Sequence, residues 1–316
     1  MSSYLVTGAS GFIGAHLVPA LKQRGITVKQ AVRRHPISVD SLSDEIFVVG
    51  DIGPDTNWNA ALNQVDVVVH LAARAHVFND EASDPVCEFK IANVLGTECL
   101  AKRAAADGVR RLIYLSSIGV NGNQSGLKAF TEQDKPSPHD AYTASKLEAE
   151  ETLRSIEAET GLEIVILRPP LVYGPGNPGN FLRLLRLVSS GWPLPFGALD
   201  SRRSILFVGN LVDAIIHCSI HPAAAGQTYL VKDGEDISTS ELIRRLAALM
   251  NRSPRLVSVP PSLLYWAAKM TGKSAEIDRL MSSLIVNDSK IRATLGWQPQ
   301  YSLAYGLQKT VAWFMR

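Results

Sequence analysis

Through the first half of the chain, short runs of consecutive apolar residues alternate with stretches whose apolar positions recur every three or four residues. The runs fall at 4–7 (YLVT), 25–32 (GITVKQAV), 47–52 (FVVGDI), 65–73 (VDVVVHLAA), 111–115 (RLIYL) and 164–172. Continuous Val- and Ile-rich runs predict strands covered on both faces. The intervening stretches predict helices: one opening at Ala15-His16-Leu17-Val18, one over 84–107, and one from Tyr142 through Glu148, Glu151 and Leu153. Strand and helix in alternation predict an α/β fold built on a doubly wound parallel sheet. The second half is less regular, with a Gly- and Pro-rich loop over 174–180 and an amphipathic segment over 302–314 that predicts a terminal helix.

The first run empties into LVTGASGFIG over 5–14. In this strand–turn–helix context Gly8 allows a sharp turn, Gly11 lets the backbone approach a pyrophosphate, and Gly14 lets the helix pack on the strand. The free N–H groups and the positive end of the helix dipole then face the anion. A glycine triplet alone also suits a turn in some other α/β fold; its place at the start of a βαβ unit favours a dinucleotide cradle of Rossmann type.

The end of the second strand bears on which dinucleotide. An acid about 20 residues past the glycines would take the ribose hydroxyls of NAD; the position holds Val32, followed by Arg33 and Arg34. Guanidinium forks match a 2′-phosphate, so the sequence favours NADP(H), with NAD(H) as the alternative. Asp51, at the end of the third run, is placed to meet the adenine. Ala72 and Ala73 end the fourth run where bulk would obstruct a cofactor. His70, inside that run, reads as a satisfied core histidine.

The fifth run ends in Ser116-Ser117, and 25 residues after Ser117 comes YTASK over 142–146 at the head of a helix. Tyr142 and Lys146 share a helix face. A neighbouring ammonium and a positively charged nicotinamide both favour the phenolate, bringing proton transfer at a carbinol or carbonyl oxygen toward neutral pH. A serine hydroxyl at the adjacent strand end can hold the same oxygen.

Composition narrows the classes. Among 316 residues, 32 basic against 30 acidic give no overall footprint for nucleic acid or an anionic membrane, although local clusters still matter. The cysteines Cys87, Cys99 and Cys218 form no CxxC or Cys/His pattern, so the expectation is a reduced chain without a structural metal. No apolar run approaches a membrane span, and the first strand begins almost at Met1, which leads us to expect the cytoplasm. Trp192, Trp266, Trp297 and Trp313 read as packing residues, and Arg183 and Arg186 as a solvated helix face or, no more strongly, ligand residues.

With these motifs in place the whole chain resembles the extended short-chain dehydrogenase/reductase family, in its nucleotide-sugar epimerase, dehydratase and reductase branch. The resemblance rests on TGASGFIG (7–14), GDI (50–52), HLAA (70–73), NVLGT (93–97), LSSIGVNG (115–122), YTASK (142–146), LRPPLVYGPG (167–176), RSILFV (203–208) and LGW (295–297). It implies Ser117, Tyr142 and Lys146 as the catalytic triad. It implies cofactor contacts at Gly8, Gly11, Phe12, Ile13, Gly14, Asp51, Ile52, Leu71, Ala72, Ala73, Asn93 and Ser116. Asn180 matches a position near the uracil and diphosphate, Arg203 a diphosphate clamp, and Arg279 a second, less well matched clamp. The implied organisation is a dinucleotide-binding unit over 1–170, to which the chain returns near 204–232, and a smaller C-terminal α/β substrate lobe over 171–316. A homodimer is the family habit.

Departures from the epimerase pattern shape the expected activity. Asn121 stands where epimerases usually have Tyr, and Leu171 where many have Asn. Ile118 and Gly119 occupy the positions of the Asp-Glu pair of dehydratases, which disfavours dehydration. An epimerase retains one NAD, whereas a reductase exchanges spent NADP for NADPH, so Arg33 and Arg34 favour net reduction. SSIGVNG with RPPLVYGPG also looks like the bacterial subgroup that includes UDP-4-keto-6-deoxy-HexNAc reductases of O-antigen synthesis. The expectation is hydride transfer at C4 of a UDP-hexose or N-acetylhexosamine by a 4-reductase. The alternatives are a 4-epimerase of UDP-glucose or UDP-GlcNAc with bound NAD and, remotely, a non-catalytic cofactor sensor.

Overall fold

The structure is a computed structural model that describes residues 2–34, 45–75, 84–126, 128–270 and 281–316. Its strands are β1 (Ser3–Thr7), β2 (Thr27–Val32), β3 (Glu45–Val48), β4 (Val67–His70), β5 (Arg111–Leu115), β6 (Glu163–Arg168), β7 (Leu171–Tyr173), β8 (Arg202–Phe207), β9 (Thr228–Leu230) and β10 (Asp236–Ser238). Seven form one sheet in the order β3-β2-β1-β4-β5-β6-β9, every pair parallel. The order reverses beside β1, which lies between β2 and β4, and this switch point opens the crevice in which such sheets bind ligands. β10, β8 and β7 form a separate small sheet.

The α-helices are α1 (Gly14–Gln23), α2 (Asn59–Leu62), α3 (Pro85–Phe89), α4 (Gly96–Ala106), α5 (Ala141–Thr160), α6 (Asn180–Ser189), α7 (Val208–Ile220), α8 (Thr239–Leu249), α9 (Pro261–Met270), α10 (Ser289–Leu295) and α11 (Leu303–Phe314). Leu17 and Leu21 of α1, Leu211 and Ile215 of α7, and Ile291 and Leu295 of α10 cover one face of the large sheet. Leu100 and Ala104 of α4 with Leu153 and Ile156 of α5 cover the other. Burial on both faces explains why these strands read as continuous apolar runs. A third core, with Tyr173, Phe181, Phe207, Leu246 and Leu307, lies under the small sheet.

A buried carboxylate ties the two sheets together. Asp233 accepts hydrogen bonds from Phe207 N (2.9 Å), Asn210 Nδ2 (2.7 Å) and the Tyr173 hydroxyl (2.9 Å). Asn210 in turn donates to Tyr301 O at 2.8 Å and accepts from Tyr301 N at 2.8 Å, fixing the approach to α11.

Three expectations are corrected. The third strand stops at Val48 instead of Ile52, because the chain turns through Gly50 at φ +72°, a backbone that L side chains rarely adopt. The stretch 84–107 is not one helix: α3, capped by Asp84 with Pro85 at its first position, passes into a π-helical segment, Lys90–Leu95, before α4. Trp297 is buried, with its indole N–H on Asp213 at 3.0 Å, but Trp192 and Trp266 are 74% and 65% exposed and pack little.

The reading of His70 as a satisfied core histidine holds. His70 is buried between Thr7 Oγ1 (2.7 Å) and Thr97 Oγ1 (3.0 Å), and burial with the nearby Lys146 ammonium pushes its pKa down to about 3. Cys87, Cys99 and Cys218 are free thiols. Among the described residues no His, Cys, Asp and Glu group could hold a metal, and no helix is long and apolar enough to cross a membrane.

Candidate functional site

The glycine turn lies at the carboxyl end of β1. Gly8 has φ +65°, and a Cβ there would stand 2.9 Å from Ala72 N. A Cβ on Gly14 would meet Gly8 O at 2.4 Å and Ala9 Cα at 2.6 Å. Side chains at either position would force the backbone apart, which is what a cradle shaped for close approach of a pyrophosphate requires. The side chains of Phe12 and Ile13 turn into the core beneath the small sheet, leaving the backbone at the cradle. Leu71 and Ile52 likewise pack into the cores that flank the large sheet, while Ala73 is exposed. The residues present therefore fit a dinucleotide.

Two candidate cofactor residues pair with each other. Arg33, just past β2, reaches Asp51 with Nε at 2.5 Å and Nη2 at 3.2 Å, and both are well exposed. Arg34 beside it is also exposed. Asn93, in the π-helical segment, is buried and makes three side-chain hydrogen bonds to two residues. Its Oδ1 accepts from Arg74 N at 2.8 Å, and its Nδ2 donates to Arg74 O at 3.1 Å and Ser145 Oγ at 2.9 Å. This braces the segment after β4 against α5.

A capping box fixes the start of α5: Asp140 accepts from Thr143 N at 2.8 Å, and Thr143 Oγ1 accepts from Asp140 N at 3.2 Å. With the helix register set there, Tyr142 and Lys146 fall one turn apart on one face. Lys146 is buried; its ammonium donates to Leu115 O at 2.7 Å and to the Tyr114 hydroxyl at 3.1 Å, 4.3 Å from that ring's centroid. Burial pulls its pKa down to about 7 against the opposing pull of the Glu150 carboxylate.

Tyr142 departs from expectation. Burial, and then the Asp140 carboxylate, push its pKa up to about 12, so the phenol keeps its proton at neutral pH in the protein alone. The Lys146 ammonium is engaged by Leu115 O and Tyr114, and burial outweighs the stabilisation of a phenolate that the sequence suggests.

Ser117 follows β5, and its Oγ accepts from Gly119 N at 3.1 Å, capping a short turn. The strand end is stitched to β6 by Ser116 N to Leu167 O (2.8 Å) and Ile118 N to Pro169 O (2.9 Å). A Cβ on Gly119 would lie 2.4 Å from Thr143 Cγ2 and 3.4 Å from Ser117 Oγ, so the serine loop and the first turn of α5 press together at this residue. The fold thus brings Ser117, Tyr142 and Lys146 to one end of β5.

Sequence reading missed the layer beneath. The Ser116 hydroxyl donates to the Glu150 carboxylate, which also accepts from Arg168 Nε (2.9 Å) and Nη2 (2.5 Å). Arg168 Nη1 donates to Asn121 Oδ1 at 3.0 Å, and Asn121 Nδ2 to Thr131 O at 2.8 Å. The available signal was Glu150 one turn beyond Lys146, together with an arginine at the end of an otherwise apolar strand.

Of the residues expected to contact substrate, Asn180 is the exposed first residue of α6, and Arg203 on β8 donates to Ser282 O at 3.3 Å. Arg279 lies outside the described residues. The loop over 174–179 is tied to the cradle helix by the His16 ring, whose Nε2 is 2.9 Å from Pro175 O.

Residues 4–231 match the profile of the NAD dependent epimerase/dehydratase family. The chain belongs to that family. It is 40% identical to a UDP-glucose 4-epimerase of Vibrio cholerae, covering 99% of this chain and 96% of that protein. It is also 31% identical to a UDP-glucose 4-epimerase of Mycolicibacterium smegmatis, covering 98% and 97%. Among solved structures it resembles MoeE5 in complex with UDP-glucuronic acid and NAD, with a TM-score of 0.81 and 28% identity over 100% of this chain and 99% of that one. This epimerase/dehydratase-family chain is therefore an extended short-chain dehydrogenase/reductase enzyme that works with a nicotinamide dinucleotide, and its sheet is the Rossmann sheet of that family.

Proposed function

We propose that the chain transfers hydride at C4 of a UDP-linked hexose or N-acetylhexosamine, acting as a 4-keto reductase that exchanges NADP(H). The observation that carries this reading is the end of β2, where Val32 fills the place of a ribose-binding acid and Arg33 and Arg34 follow on an exposed edge. Guanidinium groups there suit a 2′-phosphate, and Asp51 would release Arg33 to it.

In this reading the cradle over 8–14 holds the pyrophosphate, and a bound nicotinamide nucleotide supplies the hydride. Tyr142 donates its proton to the C4 oxygen as the carbonyl becomes a hydroxyl. A phenol that burial keeps protonated is already in the form reduction needs. Ser117 donates a hydrogen bond to the same oxygen once its hydroxyl turns from Gly119 N. Lys146 supplies positive charge beside Tyr142 when the phenolate forms. Asn180 and Arg203 contact the UDP moiety, its diphosphate facing the guanidinium. Such an enzyme fits the synthesis of O-antigen sugars in the cytoplasm.

A second reading is supported by the 40% identical V. cholerae UDP-glucose 4-epimerase and the NAD held by MoeE5. There Tyr142 would first accept a proton from the C4 hydroxyl and then return it, with NAD retained throughout. Incubation with UDP-glucose, UDP-GlcNAc and a UDP-4-keto-6-deoxy sugar, with NADPH oxidation followed at 340 nm, separates them. Stoichiometric NADPH consumption with the keto sugar supports reduction; interconversion of 4-epimers without added nucleotide overturns it.

A further inference from the structure

Thr7, His70 and Tyr114 stand abreast at the carboxyl ends of β1, β4 and β5, His70 in register with the other two. All three are buried. Around His70 the direction of each hydrogen bond follows from its neighbours. Thr97 Oγ1 donates to Asn93 O at 2.6 Å, and a carbonyl only accepts. A hydroxyl has one proton, so at the 3.0 Å contact between Thr97 Oγ1 and His70 Nε2 the imidazole is the donor. Burial and the Lys146 ammonium keep the ring uncharged. A neutral ring with its proton on Nε2 leaves Nδ1 as an acceptor, and Thr7 Oγ1, 2.7 Å away, donates to it. The Thr7 oxygen accepts in turn from Ala72 N at 3.2 Å.

The line continues past Asn93. Its Nδ2 donates to Ser145 Oγ at 2.9 Å, and Ser145 Oγ donates to Tyr142 O at 2.7 Å. One end, Ala72, is the residue that a Cβ on Gly8 would strike; the other end is the backbone of Tyr142. Thr7, His70, Asn93, Thr97 and Ser145 are all buried, so a missing member would leave its neighbours unpaired in a low-dielectric interior. The His70 ring also lies 5.8 Å, centroid to centroid, from that of Tyr114, whose hydroxyl accepts from Lys146.

We propose that His70, held in the Nε2–H form, is a positioning residue that joins the dinucleotide cradle at Ala72 to the backbone of Tyr142 through Thr97, Asn93 and Ser145. Imidazole suits the place because it accepts at one edge and donates at the other while staying neutral beside Lys146. The consequence is that the pyrophosphate cradle and the proton donor keep a fixed spacing, which hydride and proton transfer to one carbonyl group require. The inference rests on the proposed role of Tyr142 and is independent of which sugar is turned over.

The test has two parts. Nitrogen-15 NMR of the full histidine-labelled chain, with His70 assigned by its loss in His70→Gln, should show a neutral ring with its proton on Nε2 at about pH 7. This reading is taken on the parent and depends on no variant keeping its activity. Thr97→Val keeps the side-chain shape and removes the hydroxyl that links His70 to Asn93. With the UDP-sugar panel above it should lose at least about tenfold in kcat with the KM for the sugar little changed, and Thr97→Ser should restore most of the loss. A proton on Nδ1 or a cationic ring overturns the proposal. So does a Thr97→Val enzyme with the parent's kcat while Tyr142→Phe is inactive, or a Thr97→Ser enzyme no better than Thr97→Val. Parent-like turnover in Tyr142→Phe instead overturns the catalytic reading, and this proposal with it.

Discussion

Glu150 on α5 and Arg168 at the end of β6 form a buried two-pronged ion pair, 2.5 Å at its closest, that also holds Ser116 on one side and Asn121 on the other. One helix turn before Glu150 stands Lys146, so a single pair of charges fixes the strand end that carries the serines and sets the field at the candidate lysine.

Glu150→Gln leaves the Arg168 charge buried without its counter-ion, and the expected cost is about 3 kcal/mol or more in stability. It also removes the carboxylate that holds the Lys146 pKa up against burial. The alkaline limb of kcat/KM should therefore move to lower pH, while a merely structural defect would lower activity without moving the limb. Chemical denaturation and a pH–rate profile read the two effects separately.

Tyr142→Phe should cut turnover by at least about a thousandfold, as expected when a positioned proton donor is lost. Nucleotide binding should remain, because the glycine cradle is untouched. Fluorescence titration beside a turnover assay gives both numbers, and near-normal turnover would remove Tyr142 from the chemistry.

His70 makes acid stability a specific prediction. Its pKa in the fold is about 3 and its ordinary value 6.5. Above pH 6.5 neither state is protonated and no penalty exists. As pH falls from 6.5 toward 3 the unfolded chain takes up a proton that the folded chain excludes, so stability falls with a slope approaching about 1.4 kcal/mol per pH unit from this group. In His70→Gln, acid unfolding followed by circular dichroism should lose that part of the slope.

Gly14→Ala places a methyl 2.4 Å from Gly8 O, against backbone that has no rotamer to yield. We expect loss of dinucleotide binding by at least about a hundredfold, or misfolding that differential scanning calorimetry detects. Gly25→Ala is the comparison: a Cβ there meets nothing within 4 Å, so only its positive φ of +73° resists, costing about 1–2 kcal/mol in stability with binding kept.

The glycine turn and the shared helix face of Tyr142 and Lys146 were legible in the sequence because each depends on local geometry. A turn that admits backbone to within touching distance of Ala72 needs glycine, and two side chains one turn apart need only a helix. The Glu150–Arg168 pair was not legible because its members come from a helix and a strand that only the closed sheet brings together. Gly50 could have shortened the third strand in advance. Its positive φ lets the chain turn so that Asp51 meets Arg33, and this pairing of two residues expected to touch a cofactor separately became visible only in three dimensions.

The measurement that bears most directly on the account is the nucleotide state of the purified protein, with titration of the emptied chain by NADPH and NADH. The account predicts little retained nucleotide and tighter binding of NADPH, by about tenfold or more, with the preference reduced in Arg33→Ala/Arg34→Ala. Tightly held NAD released only on denaturation, with no preference for NADPH, would contradict it and favour the epimerase.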